Sequence, residues 1–265
     1  MTVQNIYDIL NEFAPFSLQE NYDNSGLLAG DPQAEVHRIL LTLDITVPVV
    51  REAAEKHAGL ILAHHPIIWN PLKAVTPEHP VWHLIRSEIG AICSHTCMDV
   101  AAGGLNSYIG GMIRRKIPFS GECGALAQLS GGRTLGCTAD LADVWDADAL
   151  AERLNKVFHC VSLRYCKGKN AGRIRRIAWC SGSGGDLIPD AIAAGADALI
   201  TGDCKHSIWA DAQNRGFTLF DCGHFETEVP VVRLFAEILE QKAPEIEVLI
   251  SEKGTMPFYE AFAAI

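Results

Sequence analysis

Apolar residues along this chain follow two rhythms, one helical and one strand-like. At the N-terminus Ile6, Ile9, Leu10 and Phe13 recur at helical spacing, which predicts an amphipathic first helix. From Arg38 onward, short aliphatic runs alternate with helical patterns. RILLTLDIT (38–46) leads into VPVVREAAEKHA, GLILAHH into a helix around PVWHLIRSEI, and AICSHT into a helix around GLNSYIGGMI. That β-α-β-α-β-α order predicts a mostly parallel sheet covered by helices. A Gly-rich, less periodic stretch from Phe119 to Cys137 breaks the rhythm. Beyond it the alternation resumes: a polar helix near DADALAERLNKVF, strand RIRRIAWC, loop SGSGGD, a helix from Asp186, strand DALITGD, and a helix from Lys205. Strand FTLFDCG, helix VPVVRLFAEILEQ and a last strand EIEVLIS follow. The expected fold is α/β in two similar halves, each a mostly parallel or mixed sheet covered by helices. Residues 1–120 form the first half, completed by 226–265, and residues 121–225 form the second.

At 265 residues the chain can bury a sizeable core. No apolar run reaches the roughly 18 residues of a membrane span, and no basic region precedes an apolar one at the start. A cytoplasmic location is therefore expected. The formal net charge of −10 argues against non-specific binding to nucleic acid or to anionic membrane. Nine cysteines are scattered with no CxxC pair, so neither a disulfide framework nor a zinc-finger pattern is indicated.

The candidate chemistry lies where strands end. In open α/β sheets, ligands bind beyond the carboxyl ends of the strands. Asp44 follows ILLTL, His64 and His65 follow LILA, His95 and Asp99 follow AICS, Asp203 follows ALITG, and His224 follows TLFDCG. In LILAHHP, Pro66 marks the strand's end, and two imidazoles leaving it in different directions suit a two-metal site with one ligand per ion. Pro230 belongs in the first turn of the helix after DCGHFETEVP, which places Glu228 at that helix's N-terminus, where an anion is favoured. Each residue also has a plainer reading. Asp44 and Thr46 could cap the helix that Pro48 opens, Asp203 could cap the helix after it, His95 could be a ligand's partner or an ordinary strand-end residue, and Glu226 reads as a helix-start charge. Lys205, His206 and the amides of SGSGG could hold a phosphate or simply begin solvated helices.

Taken together, ENYDNSGLLAGDP, LTLDIT, LILAHHPIIW, SHTCMDVAAGGLN, CSGSGGDLI, GADALITGDCKHSIWADA and DCGHFETE resemble, in order and over nearly the whole chain, the NIF-three-like (YbgI-type) dinuclear metal-centre family. That family often carries the label GTP cyclohydrolase I type 2-like. The resemblance implies that His64, His65, Asp99, His224 and Glu228 ligate two divalent ions in the cleft between the halves, with Glu228 also counted as catalytic. It further implies a toroidal homohexamer. Asp44, His95, Asp203, Lys205 and His206 are then candidates for holding the ligands or a substrate. Cys97, Cys204 and Cys222 stand within or beside these motifs, and a thiolate among the ligands would favour a softer metal.

Imidazole with carboxylate suits Zn, Mn, Fe, Co or Ni without choosing among them. Five protein ligands for two ions leave positions open, as catalytic sites do. The expected activity is hydrolysis of a nucleotide-like substrate by a metal-bound hydroxide. The alternatives are a two-metal phosphoesterase and a metal-binding scaffold without turnover.

Overall fold

The computed structural model describes residues 1–254, and the chain falls into two compact units. Among the described residues, the first contains 1–104 and 231–254, and the second contains Leu105–Pro230.

In the first unit, β1 (Gly26–Ala29), β2 (Arg38–Thr42), β3 (Leu60–Ala63), β4 (Gly90–Cys93) and β11 (Glu247–Ile250) form one sheet in the order β1-β4-β3-β2-β11. Strands β11, β2, β3 and β4 are parallel neighbours, and β1 closes one edge antiparallel to β4. Every residue of β3 and β4 is buried, as expected where both faces of a parallel sheet are covered. On one face Leu40, Ile61, Ala63, Ala91 and Cys93 pack with Val49, Val50 and Ala53 of α2 (Val47–Glu55) and Leu84 of α3 (Pro80–Arg86). The remaining helices of this unit are α1 (Val3–Phe13), α4 (Thr96–Val100) and α10 (Pro230–Lys242). The predicted first helix is α1, with Ile6 and Leu10 fully buried and a Thr2–Asn5 capping box fixing its start.

The second unit has a six-stranded mixed sheet: β5 (Gly124–Gln128), β6 (Thr134–Trp145), β7 (Arg164–Cys166), β8 (Ile174–Trp179), β9 (Ala198–Thr201) and β10 (Thr218–Asp221), in the order β5-β6-β8-β9-β10-β7. The parallel core β8-β9-β10 follows the predicted alternation. The antiparallel additions do not. The Gly-rich stretch that interrupts the sequence pattern holds the hairpin β5-β6, whose turn uses Gly131 and Gly132 at φ 72° and 77°. The helices here are α5 (Leu105–Arg114), α6 (Ala147–Phe158), α7 (Ile188–Ala193), α8 (His206–Arg215) and α9 (His224–Glu228). Helix α5 is tied to β8 through Asn106: its carbonyl accepts from Trp179 Nε1 at 2.8 Å and its Oδ1 from the Ser181 amide at 3.0 Å. Among the described residues, no helix is long and apolar enough to cross a membrane.

Candidate metal centre

The HHP element leaves the sheet where β3 ends. The amides of His64 and His65 both donate to the carbonyl of Leu43, at 3.2 and 3.1 Å, so the chain turns off the ladder at that point. The two rings separate to a centroid distance of 5.2 Å. His64, fully buried, has Nδ1 2.9 Å from the carbonyl oxygen of Ser94. A carbonyl can only accept, so Nδ1 carries the proton and Nε2 the lone pair. His65 Nδ1 lies 2.8 Å from Asp44 Oδ1, which sets the same tautomer. Asp44 is therefore not the cap of α2. That role falls to Thr46, whose hydroxyl accepts from the amide of Val49.

His95 joins this pair. Its ring centroid stands 5.1 Å from that of His64 and 5.5 Å from that of His65, and one nitrogen of each of the three lies within 4.8 Å of the others. Nδ1 of His95 is held at 3.0 Å by Asp23, whose side chain is completely buried. The other oxygen of Asp23 accepts from Ser25 Oγ at 2.9 Å, the Thr96 amide at 3.0 Å and Thr96 Oγ1 at 2.5 Å. Burial alone would raise this carboxyl's pKa, but hydrogen bonds from His95, Thr96 and Ser25 outweigh it and hold the group far below the ordinary range, as a fixed anion. Asp99, on the single turn of α4, brings Oδ1 to 3.7 Å from His64 Nε2. Asp23 is the functional residue that motif reasoning on strand ends passes over. It sits in the loop before β1, inside the ENYDNSGLLAGDP segment that carries the family resemblance, but neither periodicity nor a strand end singles it out.

In the second unit the chain turns at Gly223 (φ 89°) into α9, which begins at His224 and ends at Glu228. Glu228 is thus the last residue of its own one-turn helix rather than the first turn of the next. The break falls there because Pro230 has no N–H with which to continue the ladder. Spacing of four residues puts both side chains on one face, with His224 Nε2 2.9 Å from Glu228 Oε2. Nδ1 of His224 is 3.1 Å from Asp203 Oδ2, so Asp203 orients the ring and does not cap α8, whose N-cap is Lys205. Asp203 holds a left-handed backbone (φ 55°) to reach it. Glu228 is 4% exposed. Glu226 is also buried and accepts from the amide of Val161 at 3.1 Å, so it is a structural carboxylate rather than a solvated helix charge.

A profile of the Duf34/NIF3 family (NGG1p interacting factor 3) matches residues 1–257. This chain belongs to the Duf34/NIF3 family. A relative from Clostridium perfringens named GTP cyclohydrolase 1 type 2 homolog is 32% identical over 270 residues, covering 97% of this chain and 99% of its own length. Among solved structures, Staphylococcus aureus hypothetical protein SA1388 superposes with a TM-score of 0.88 at 25% identity, over 98% of this chain and 99% of that one. The protein ybgI, of unknown function, shares the fold with a TM-score of 0.83 at 20% identity, over 95% and 98% of the two chains.

In this NIF3 chain the other candidates take different places. Lys205 and His206 are exposed, and His206 lines a surface groove of about 380 Å³ with Cys166, Lys167 and Trp209, which none of the histidines or carboxylates above enters. The SGSGG loop does not offer a row of open amides to a phosphate: those of Ser181, Gly182 and Gly184 donate to Asn106, Thr227 and Thr201. Cys97, Cys204 and Cys222, the cysteines beside the motifs, are all buried. Burial raises the Cys97 thiol, pushes Cys204 up to about 12 and drives Cys222 well above its ordinary value. Among the described residues, no cysteine joins a metal-sized ligand group. The donor set is imidazole and carboxylate, and it fits a divalent first-row ion.

Proposed function

We propose that this NIF3-family chain is a dinuclear metal-dependent hydrolase of the GTP cyclohydrolase I type 2-like kind, acting on a nucleotide-like substrate. The observation that carries the reading is the state of the histidines. His64, His65, His95 and His224 each have Nδ1 against an oxygen acceptor, so Nε2 is the nitrogen each turns toward the other candidate ligands: His64 Nε2 lies 3.7 Å from Asp99 Oδ1 and His224 Nε2 2.9 Å from Glu228 Oε2. Metal-ligating histidines are held in this way, whereas histidines that merely pack or solvate have no reason to share one tautomer.

In this reading the five residues that the family resemblance implies, His64, His65, Asp99, His224 and Glu228, hold two ions. When bound, the ions supply Lewis acidity, lowering the pKa of a coordinated water and stabilising charge that develops on the substrate. The chain's own groups do the rest. Asp44, Asp203 and the Ser94 carbonyl fix ring orientation, while the buried anion of Asp23 keeps Nε2 of His95 turned toward His64 and His65. The name GTP cyclohydrolase 1 type 2 homolog, carried by the Clostridium perfringens relative, supports a purine nucleotide as the first substrate to try.

Glu228→Gln, measured beside the parent, tests this. We expect metal content to fall and turnover of GTP to drop by at least about 10-fold, since the change keeps the shape and removes an anion facing two cations. Hydrolysis of bis(p-nitrophenyl) phosphate in place of GTP would reassign the centre to a phosphoesterase. A metal-loaded parent inert on both would leave a metal-binding scaffold.

A further inference from the structure

The loop that follows β8 has a task other than phosphate binding. Gly182 has a left-handed backbone (φ 60°), and a Cβ built on it would lie 2.0 Å from Glu228 Oε1, 3.0 Å from its Cδ and 3.4 Å from His224 Nε2. The space that any side chain at 182 would need is taken by the paired carboxylate and imidazole. The backbone behind it is pinned. The Gly182 amide donates to Thr227 Oγ1 at 3.1 Å, while its carbonyl accepts from Thr201 Oγ1 at 3.0 Å and from the Gly202 amide at 2.8 Å. The flanking amides of Ser181 and Gly184 are tied to Asn106 and Thr201.

We propose that Gly182 is a positioning residue for the metal centre: its bare Cα is the wall against which the Glu228 carboxylate rests beside His224. The inference builds on the metal-binding reading above. Its force comes from what would yield. The atom in the way is the far end of a flexible side chain, whereas the loop is held by five hydrogen bonds from three directions. A methyl group at 182 therefore moves the carboxylate and leaves the fold in place. Glu228 is buried, so its carboxylate has little open space to move into and keep its distance to His224.

The test pairs Gly182→Ala with Gly195→Ala. Gly195 shares the left-handed backbone (φ 73°) but has nothing within 4 Å of its Cβ position, so it carries the same backbone strain without the displacement. Thermal unfolding of both variants after chelation, and Zn²⁺ affinity by competition with a chromophoric chelator, give the readouts. The expected result is a similar loss of Tm in both variants, with Zn²⁺ affinity lowered at least about 10-fold in Gly182→Ala and parent-like in Gly195→Ala. In a Glu228→Asp background the shorter carboxylate clears the new methyl, so Gly182→Ala should cost less affinity there. Equal Zn²⁺ affinity in the two glycine variants would overturn the inference. So would a chelated Gly182→Ala that fails to fold while Gly195→Ala folds, because the role would then be structural. A parent that takes up no Zn²⁺ would instead remove the metal-binding reading, and this inference with it.

Discussion

Asp44 shows how a residue's neighbours in space can overrule its neighbours in sequence. Three residues before α2, it reads with Thr46 as a possible cap, yet Thr46 alone does the capping and Asp44 turns to His65. The same holds for Asp203 and His224, 21 residues apart, and for Asp23 and His95, 72 residues apart. The histidines themselves are legible in the sequence, because the carboxyl ends of parallel strands all open on one edge and polar residues there stand out against buried aliphatic runs. Their partners are not, because a carboxylate in a loop carries no periodicity and the pairing depends on how the loop folds back. Asp44→Ala removes the acceptor that sets the tautomer of His65. We expect metal affinity to fall about 10- to 100-fold with little change in Tm, since Asp44 is 45% exposed and outside the core. Chelator-competition titration checks this, and a parent-like affinity would show that His65 needs no such partner.

At the level of elements, the alternation of aliphatic runs with helical patterns carries the parallel strands and the long helices, because both are dictated by burial. The antiparallel pieces escape it. Strand β1 is four residues with one buried position, and the β5-β6 hairpin lies in Gly-rich sequence whose strands have mostly part-exposed or exposed residues. The one-turn helix α9 is likewise invisible, since five residues are too few to repeat the 3.6-residue helical period. One tertiary lock between elements is set by Glu52 of α2. Its carboxylate accepts from Lys56 Nζ at 2.8 Å and, on the segment after β11, from Ser251 Oγ, the Glu252 amide at 2.9 Å and the Lys253 amide at 3.2 Å. Burial alone would raise its pKa, but those hydrogen bonds bring it down to about 2 from the ordinary 4.5. Because the folded value is the lower one, this stabilisation is complete above about pH 4.5 and is lost as pH falls toward 2. Glu52→Gln should cost about 2 kcal/mol near neutrality, the scale of hydrogen bonds to a buried charge. The loss should narrow across that acid window in denaturant melts. A constant difference from pH 7 to pH 3 would contradict the assignment.

At the scale of the molecule, the family is shown by the match over residues 1–257, while the homohexamer is a proposal that rests on the family resemblance. Closed symmetric rings are a common outcome for soluble homo-oligomers. A hexamer of 28.8 kDa chains would scatter light with a mass of about 173 kDa at micromolar concentration, and a monomer mass would refute it. The central claim is nearer to the chemistry: imidazoles fixed at Nδ1 and the carboxylates beside them exist to hold two ions. Elemental analysis of protein purified without added metal, parent beside Glu228→Gln, measures this most directly. The account predicts about two first-row divalent ions per chain in the parent, as two-metal hydrolases carry, and clearly fewer in the variant. A parent with no bound metal, or a Glu228→Gln protein with the parent's full count, would contradict it.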